Sequence, residues 1–212
     1  MTSHPKEDLP DVTEDWAIYR GVAKGVSARM FEVLDPLCRR HDQDTRFGTF
    51  VSKRRSCYFH TPEITPVAGS SLFSYENLDG YEWIPEITHL TNFIEENFGD
   101  ASDYVLAHIY DDGTDNINPH NDKEAWSTPV YSFSFGATRK FRFQRIGDKS
   151  GYSKEFHLED GDLLVMRAGC QQRWKHFVPV EKRVKDKRIN ITIRQKDGSY
   201  KMRFKRKDTD SP

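Results

Sequence analysis

Three side chains with metal-binding chemistry sit in two distant stretches of the chain. "NINPHNDKEAW" puts His120 two positions before Asp122, and "QQRWKHFVPV" carries His176. In an extended segment, residues i and i+2 point the same way, so His120 and Asp122 would offer an imidazole nitrogen and a carboxylate oxygen to one ion. A second imidazole completes a set of two histidines and one carboxylate. That set leaves coordination positions open and suits non-haem Fe(II), which must also bind a cosubstrate and O2. A His-x-Asp pair alone is a weak signal, and the plain alternative is a surface His–Asp pair.

A second stretch strengthens the reading. "RINITIRQ" read as a strand alternates, with Ile189, Ile191 and Ile193 on one face and Arg188, Asn190, Thr192 and Arg194 on the other. The plain alternative is an edge strand with a solvated polar face. With the metal set, the row suits a dicarboxylate such as 2-oxoglutarate. One end of that molecule chelates iron, and the other needs a rigid cation with two parallel donors.

Elements to carry these side chains are visible along the chain. "SARMFEVLDPLCRR" reads as a helix capped by Ser27 and ended or bent by Pro36. "IPEITHLTNFIEENFG" is a stronger helix, with Pro85 in its first turn, Ile87, Leu90, Ile94 and Phe98 on one face, and Gly99 as its stop. "RSCYFH" and "SLFSY" read as short strands. After Gly99 come "DYVLAHIY", "PVYSFSF", "RKFRFQR", "EFHLE", "DLLVMR", "HFVPV" and "RINITIR", separated by turn sequences. Short strands with regular turns indicate an antiparallel sandwich or jelly roll. The expected class is α+β, mainly β, with a helical layer ahead of the sheets.

Composition bounds the remaining possibilities. The chain has 212 residues, 31% of them charged, with a formal net charge of -1, so no global basic signal marks nucleic-acid binding. Local basic runs at 53–55, 181–188 and 201–207 still permit a basic groove. Three cysteines, Cys38, Cys57 and Cys170, are too few and too scattered for a disulfide framework or a cysteine zinc site, and read as thiols of a reducing compartment. No apolar run reaches the roughly 18 residues of a membrane helix, and the N-terminus lacks a secretory apolar core. The expectation is an intracellular monomer. Residues 1–13 are expected to be flexible, 14–196 to form one domain, and 197–212 to be a basic tail.

The ordered set "RRSCYFH", "LFSY", "WIPEI", "HIYDDGTDNINPHNDKE", "YSFSFGATRKFRF", "EDGDLLVM", "KHFVPV" and "RINITIRQ" resembles the AlkB family of Fe(II)/2-oxoglutarate dioxygenases, over roughly residues 50–196. The resemblance implies a double-stranded β-helix, or jelly roll, over about 100–196, with a nucleotide-recognition lid over about 45–80. It implies His120, Asp122 and His176 as iron ligands. It implies Arg188 for the distal 2-oxoglutarate carboxylate, with Asn190, Thr192 and Arg194 lining the pocket. Tyr110 matches a cosubstrate-binding tyrosine. His108 stands at a cosubstrate-binding position where the family usually has Asn.

Glu124 matches a base-contacting position and would share the face of Asp122 if the strand continued. Phe73 and Tyr75 match aromatic lid positions. Lys53, Arg54 and Arg55 fall where the lid meets phosphates. The implied activity is oxidative N-demethylation of methylated bases in DNA or RNA. The alternatives are a hydroxylase of a protein or small molecule, and a nucleic-acid-binding protein with a degenerate iron site.

Overall fold

The computed structural model describes residues 12–45, 48–60, 80–150 and 153–195. In chain order the elements are β1 (Trp16–Tyr19), α1 (Ser27–Leu34), β2 (Asp42–Thr45), β3 (Gly48–Val51), β4 (Arg55–His60), β5 (Gly80–Glu82), α2 (Pro85–Phe98), β6 (Tyr104–Tyr110), β7 (Ile117–His120), β8 (Val130–Gly136), β9 (Arg139–Arg145), β10 (Ser153–Leu158), β11 (Leu163–Met166), α3 (Cys170–Arg173), β12 (Trp174–Val178) and β13 (Arg188–Arg194). They form a major sheet in the order β1-β11-β8-β13-β6-β4-β5, a minor sheet in the order β10-β9-β12-β7, and a separate β2–β3 hairpin. This is the mainly-β jelly-roll architecture with flanking helices that the strand pattern predicts.

β13 is the centre of the major sheet, paired along its whole length with β6 on one side and β8 on the other. All of its residues are buried. Ile189, Ile191 and Ile193 pack with Val105, Ala107, Ile109, Phe133 and Phe135 against Met30 and Leu34 of α1 and Ile87, Leu90 and Ile94 of α2. Each fully buried isoleucine contributes about 1.5–3 kcal/mol relative to exposure. A slip of one residue would drive the two arginines into this apolar layer, so the alternation sets the register. A second core, including Trp16, Tyr110, Phe141, Phe143, Leu164 and Met166, lies between the two sheets. The polar row of β13 faces that space.

Local sequence explains the helix ends. α2 begins at Pro85 and stops at Gly99, which takes φ 76° and donates its N–H to the carbonyl of Glu95 at 2.9 Å. α1 ends at Leu34, two residues before Pro36. The Ser27 cap is a correction: Val26 is the capping position, and the Ser27 hydroxyl bonds Asp160 instead. A long-range partner outcompeted the local backbone. "SLFSY" lies outside the described residues, as do Phe73 and Tyr75.

The loops at one end of the barrel are tied by Arg139. Its buried guanidinium donates to the carbonyls of Asp112, Asp115 and Pro179 at 2.8–3.0 Å and pairs with Glu181 at 3.1 Å. Gly113 lies so close to this loop that a Cβ there would sit 1.9 Å from the Glu181 carbonyl oxygen. Arg139→Ala leaves those acceptors unmet and is expected to cost about 3 kcal/mol. In thermal denaturation the melting temperature should fall by roughly 6–12 °C.

Candidate metal and cosubstrate centre

Strand register brings the two histidines together. β7 and β12 are antiparallel neighbours, with His120 directly opposite His176, and the ring centroids lie 4.3 Å apart. Asp122 follows just past the end of β7. Its Oδ1 is 3.7 Å from His120 Nε2, and its Oδ2 is 3.9 Å from His176 Nε2. Candidate ligand atoms of the three residues all lie within 4.8 Å of one another.

The surroundings prepare these atoms for a cation. His120 Nδ1 lies 2.8 Å from the carbonyl oxygen of Asn118. A carbonyl only accepts, so Nδ1 carries the proton and Nε2 keeps its lone pair for a metal. Burial and the nearby His120 push His176 down to about 3, against a weaker opposing pull from Asp122. The imidazole is therefore a neutral ligand, and it stacks on Phe141 at 5.6 Å. Burial pushes the Asp122 carboxyl up, but Arg194 and the two imidazoles outweigh it and hold the group ionised. Arg194 Nη2 donates to Asp122 Oδ2 at 2.7 Å, and Nη1 to Thr192 Oγ1 at 2.7 Å. Arg194 thus orients a ligand as well as lining the pocket.

The cosubstrate end fits a dicarboxylate. Arg188 is buried, with Nη2 donating to Ser134 Oγ at 2.8 Å, while Nε and Nη1 have no hydrogen-bond partner among the described residues. Burial lowers the guanidinium to about 10, so it keeps its charge near neutral pH. Two unspent donors on a buried cation match one carboxylate. Tyr110 lies opposite Arg188 in the register, its ring centroid 5.3 Å from the guanidinium carbon. Asn190 Nδ2 donates to Ser132 Oγ and to the Phe133 carbonyl, both at 2.8 Å. Thr192 Oγ1 donates to the Leu106 carbonyl at 3.3 Å. The donor set of the centre fits Fe(II), and the Arg188 pocket fits 2-oxoglutarate. His108 is buried opposite Asn190, with Nδ1 2.7 Å from Ser56 Oγ. Burial holds its imidazole well below the usual range, in the neutral form.

Several expected contacts differ in detail. The extended geometry does not persist to Glu124: the chain bends at Asp122 into a 3-10 turn, Lys123–Ala125, closed by the Ala125 N–H on the Asp122 carbonyl at 3.0 Å. Glu124 is nonetheless buried, and its charge acts on the Tyr104 phenol. Arg55 does not present its guanidinium to solvent. It is clasped between Asp35 and Asp111, with Nη2 2.8 Å from Asp111 Oδ1, because β4 packs beside both carboxylates. Arg54 is buried, and its charge disfavours protonation of His41, His108 and His120. Of the three basic residues at 53–55, Lys53 alone is exposed.

Gln171, on α3, has no signal in the sequence. Its Oε1 accepts from the Asp122 N–H at 3.0 Å, and its carbonyl accepts from Asn121 Nδ2 at 2.8 Å. It fixes the backbone that presents the carboxylate. Gln171→Ala is expected to weaken iron binding about 10–100-fold, as loss of a group that orients a ligand does. Titration of the metal-free protein with Fe(II) under anaerobic conditions measures it.

Comparison with known proteins agrees with this geometry. The model of the 2OG-Fe(II) oxygenase superfamily matches residues 30–194. The chain is 30% identical over 175 residues to "Alpha-ketoglutarate-dependent dioxygenase alkB homolog 3" of Rattus norvegicus, covering 76% of this chain and 58% of that protein. It is 35% identical over 133 residues to "DNA oxidative demethylase ALKBH2" of Homo sapiens, covering 58% of this chain and 51% of that one. The chain therefore spans somewhat more than half the length of these relatives. A solved structure, "The structure of OsALKBH1", superposes with a TM-score of 0.56 at 16% identity, covering 87% of this chain and 99% of that one, and supports the fold. With two histidines and a carboxylate converging between its sheets and a buried arginine fork beside them, this chain belongs to the 2OG-Fe(II) oxygenase superfamily and, within it, to the AlkB family.

Proposed function

We propose that this chain is an Fe(II)- and 2-oxoglutarate-dependent dioxygenase that removes N-methyl groups from bases in DNA or RNA, with 1-methyladenine and 3-methylcytosine as its targets. The observation that carries the reading is the convergence of His120, Asp122 and His176 beside the unspent donors of Arg188. Bound iron would activate O2 at the expense of 2-oxoglutarate, yielding succinate, CO2 and hydroxylation of the N-methyl carbon, after which the hemiaminal collapses to formaldehyde and the unmodified base.

The chain's own residues do the rest. His120, Asp122 and His176 would hold the ion as two imidazoles and one carboxylate. Arg194 and Gln171 orient the carboxylate. Arg188 and Tyr110 anchor the far end of 2-oxoglutarate, and the aromatic and aliphatic wall between the sheets excludes water. Glu124 brings negative charge near the site, which favours a base made cationic by ring methylation. A base inside a duplex is out of reach of this centre, so the target is flipped out or single-stranded. Exposed Lys53 is the residue of the 53–55 run that would meet backbone phosphates without reading sequence.

The test is incubation with Fe(II), 2-oxoglutarate, O2 and oligonucleotides carrying 1-methyladenine or 3-methylcytosine, in single and double strands. Loss of the methyl mass with stoichiometric formaldehyde supports the reading. Succinate formation stimulated only by a peptide or small molecule would replace it with a hydroxylase of that class. Tight oligonucleotide binding without 2-oxoglutarate consumption would reduce the protein to a binding module.

A further inference from the structure

We propose that Cys38 and Cys57 form a reversible cystine that staples the base of the β2–β3 hairpin. The two residues belong to different parts of the chain, Cys38 just past α1 and Cys57 within β4. Their sulfurs lie 3.1 Å apart in the core beneath the helical layer, and both residues are buried.

The backbone supports the same pairing independently of the sulfurs. Arg39 N–H donates to the Ser56 carbonyl at 3.2 Å, and Ser56 N–H donates to the Arg39 carbonyl at 2.8 Å. Arg39 and Ser56 are therefore a hydrogen-bonded antiparallel pair. The adjacent pair, Cys38 and Cys57, is then of the non-hydrogen-bonded kind, in which Cα atoms approach to about 4.5 Å and side chains are closest. That separation lies within the range a disulfide spans. Alternation sends Ser56 toward His108 and turns both cysteines to the opposite, apolar face. Cys170 lies in the other core, between the sheets, where burial pushes its thiol up to about 12, and it has neither cysteine beside it.

Closing this bond has a definite structural result. The cysteines are separated by 19 positions, and the intervening chain holds the whole hairpin. β2 and β3 pair with each other and with no other strand of the described residues. The hairpin base rests on the Ser52 N–H to the His41 carbonyl at 2.8 Å and the His41 N–H to Ser52 Oγ at 3.1 Å. A covalent link at Cys38 and Cys57, next to the Arg39–Ser56 pair, closes the loop that contains this base.

The oxidant is hydrogen peroxide. One thiolate attacks a peroxide oxygen and forms a sulfenic acid, releasing water. The second thiol displaces the sulfenic hydroxyl as another water, leaving the S–S bond. Overall, two thiols and one peroxide give one disulfide and two waters, and a dithiol reductant reverses the change.

The experiment treats the full reduced chain with a small excess of hydrogen peroxide, denatures it, caps free thiols with N-ethylmaleimide and maps peptides by mass. The expected product has lost about 2 Da, carries the maleimide at Cys170 alone and contains a linked Cys38–Cys57 peptide that dithiothreitol releases. Cys38→Ser and Cys57→Ser each abolish the linked peptide. The oxidised chain should melt roughly 6–12 °C higher than the reduced one, because the bond restricts the unfolded chain. Maleimide on all three cysteines, sulfinic acid at Cys38 or Cys57 in place of the link, or a disulfide between two chains would overturn the proposal. So would a melting temperature that does not rise on formation of the link.

Discussion

His176→Ala abolishes iron-dependent turnover while leaving the sheet intact. The residue supplies one of three protein ligands, and its loss leaves only His120 and Asp122 on the ion. The imidazole is buried, held neutral and stacked on Phe141, so its lone pair is available to a cation. Groups that only orient a ligand are worth about 10–100-fold in affinity, and a ligand itself should exceed that, so a loss of at least ~100-fold in both Fe(II) affinity and 2-oxoglutarate turnover is expected. Succinate release and anaerobic Fe(II) titration measure the two effects separately. The fold should survive, because His176 lies beside Phe143 in a register that β9 and β12 maintain along their length. A variant that bound iron and turned over as the parent does would remove His176 from the centre.

Arg188→Ala raises the 2-oxoglutarate requirement sharply. Nε and Nη1 of the guanidinium make no hydrogen bond of good geometry among the described residues, and the side chain is held by Ser134 and Tyr110. Hydrogen bonds to a charged group contribute about 1.5–3 kcal/mol. Taking about 2–3 kcal/mol for the pair, the KM for 2-oxoglutarate should rise roughly 30–150-fold. Fe(II) affinity should change little, since Arg188 contacts none of the three ligands. Arg188→Lys keeps the charge but loses the fork, and should recover only part of the defect. An unchanged KM in the alanine variant would assign the distal carboxylate to another cation, and Arg139, whose charge also bears on Arg188, is the first to examine.

The sequence by itself determined what short-range periodicity encodes. Alternation along "RINITIR" separates the isoleucines, which meet α1 and α2, from the polar row that faces between the sheets. Pro85 and Gly99 bound α2 because one fits the first helical turn and the other adopts positive φ. The His-x-Asp spacing and the later His176 marked three donors, and the AlkB resemblance was legible in the order of motifs. Tertiary structure alone decided which distant atoms meet. The pairing of β7 with β12 sets His120 against His176, and no local feature of either strand specifies that partner.

The ion pairs that occupy Arg55, the loss of Ser27 as a cap to Asp160 and the backing of Asp122 by Gln171 share one cause. Each depends on a side chain or backbone group far away in sequence, whose approach is set by sheet register and packing. Periodicity tells a residue which way to face, and only the folded arrangement supplies what it faces.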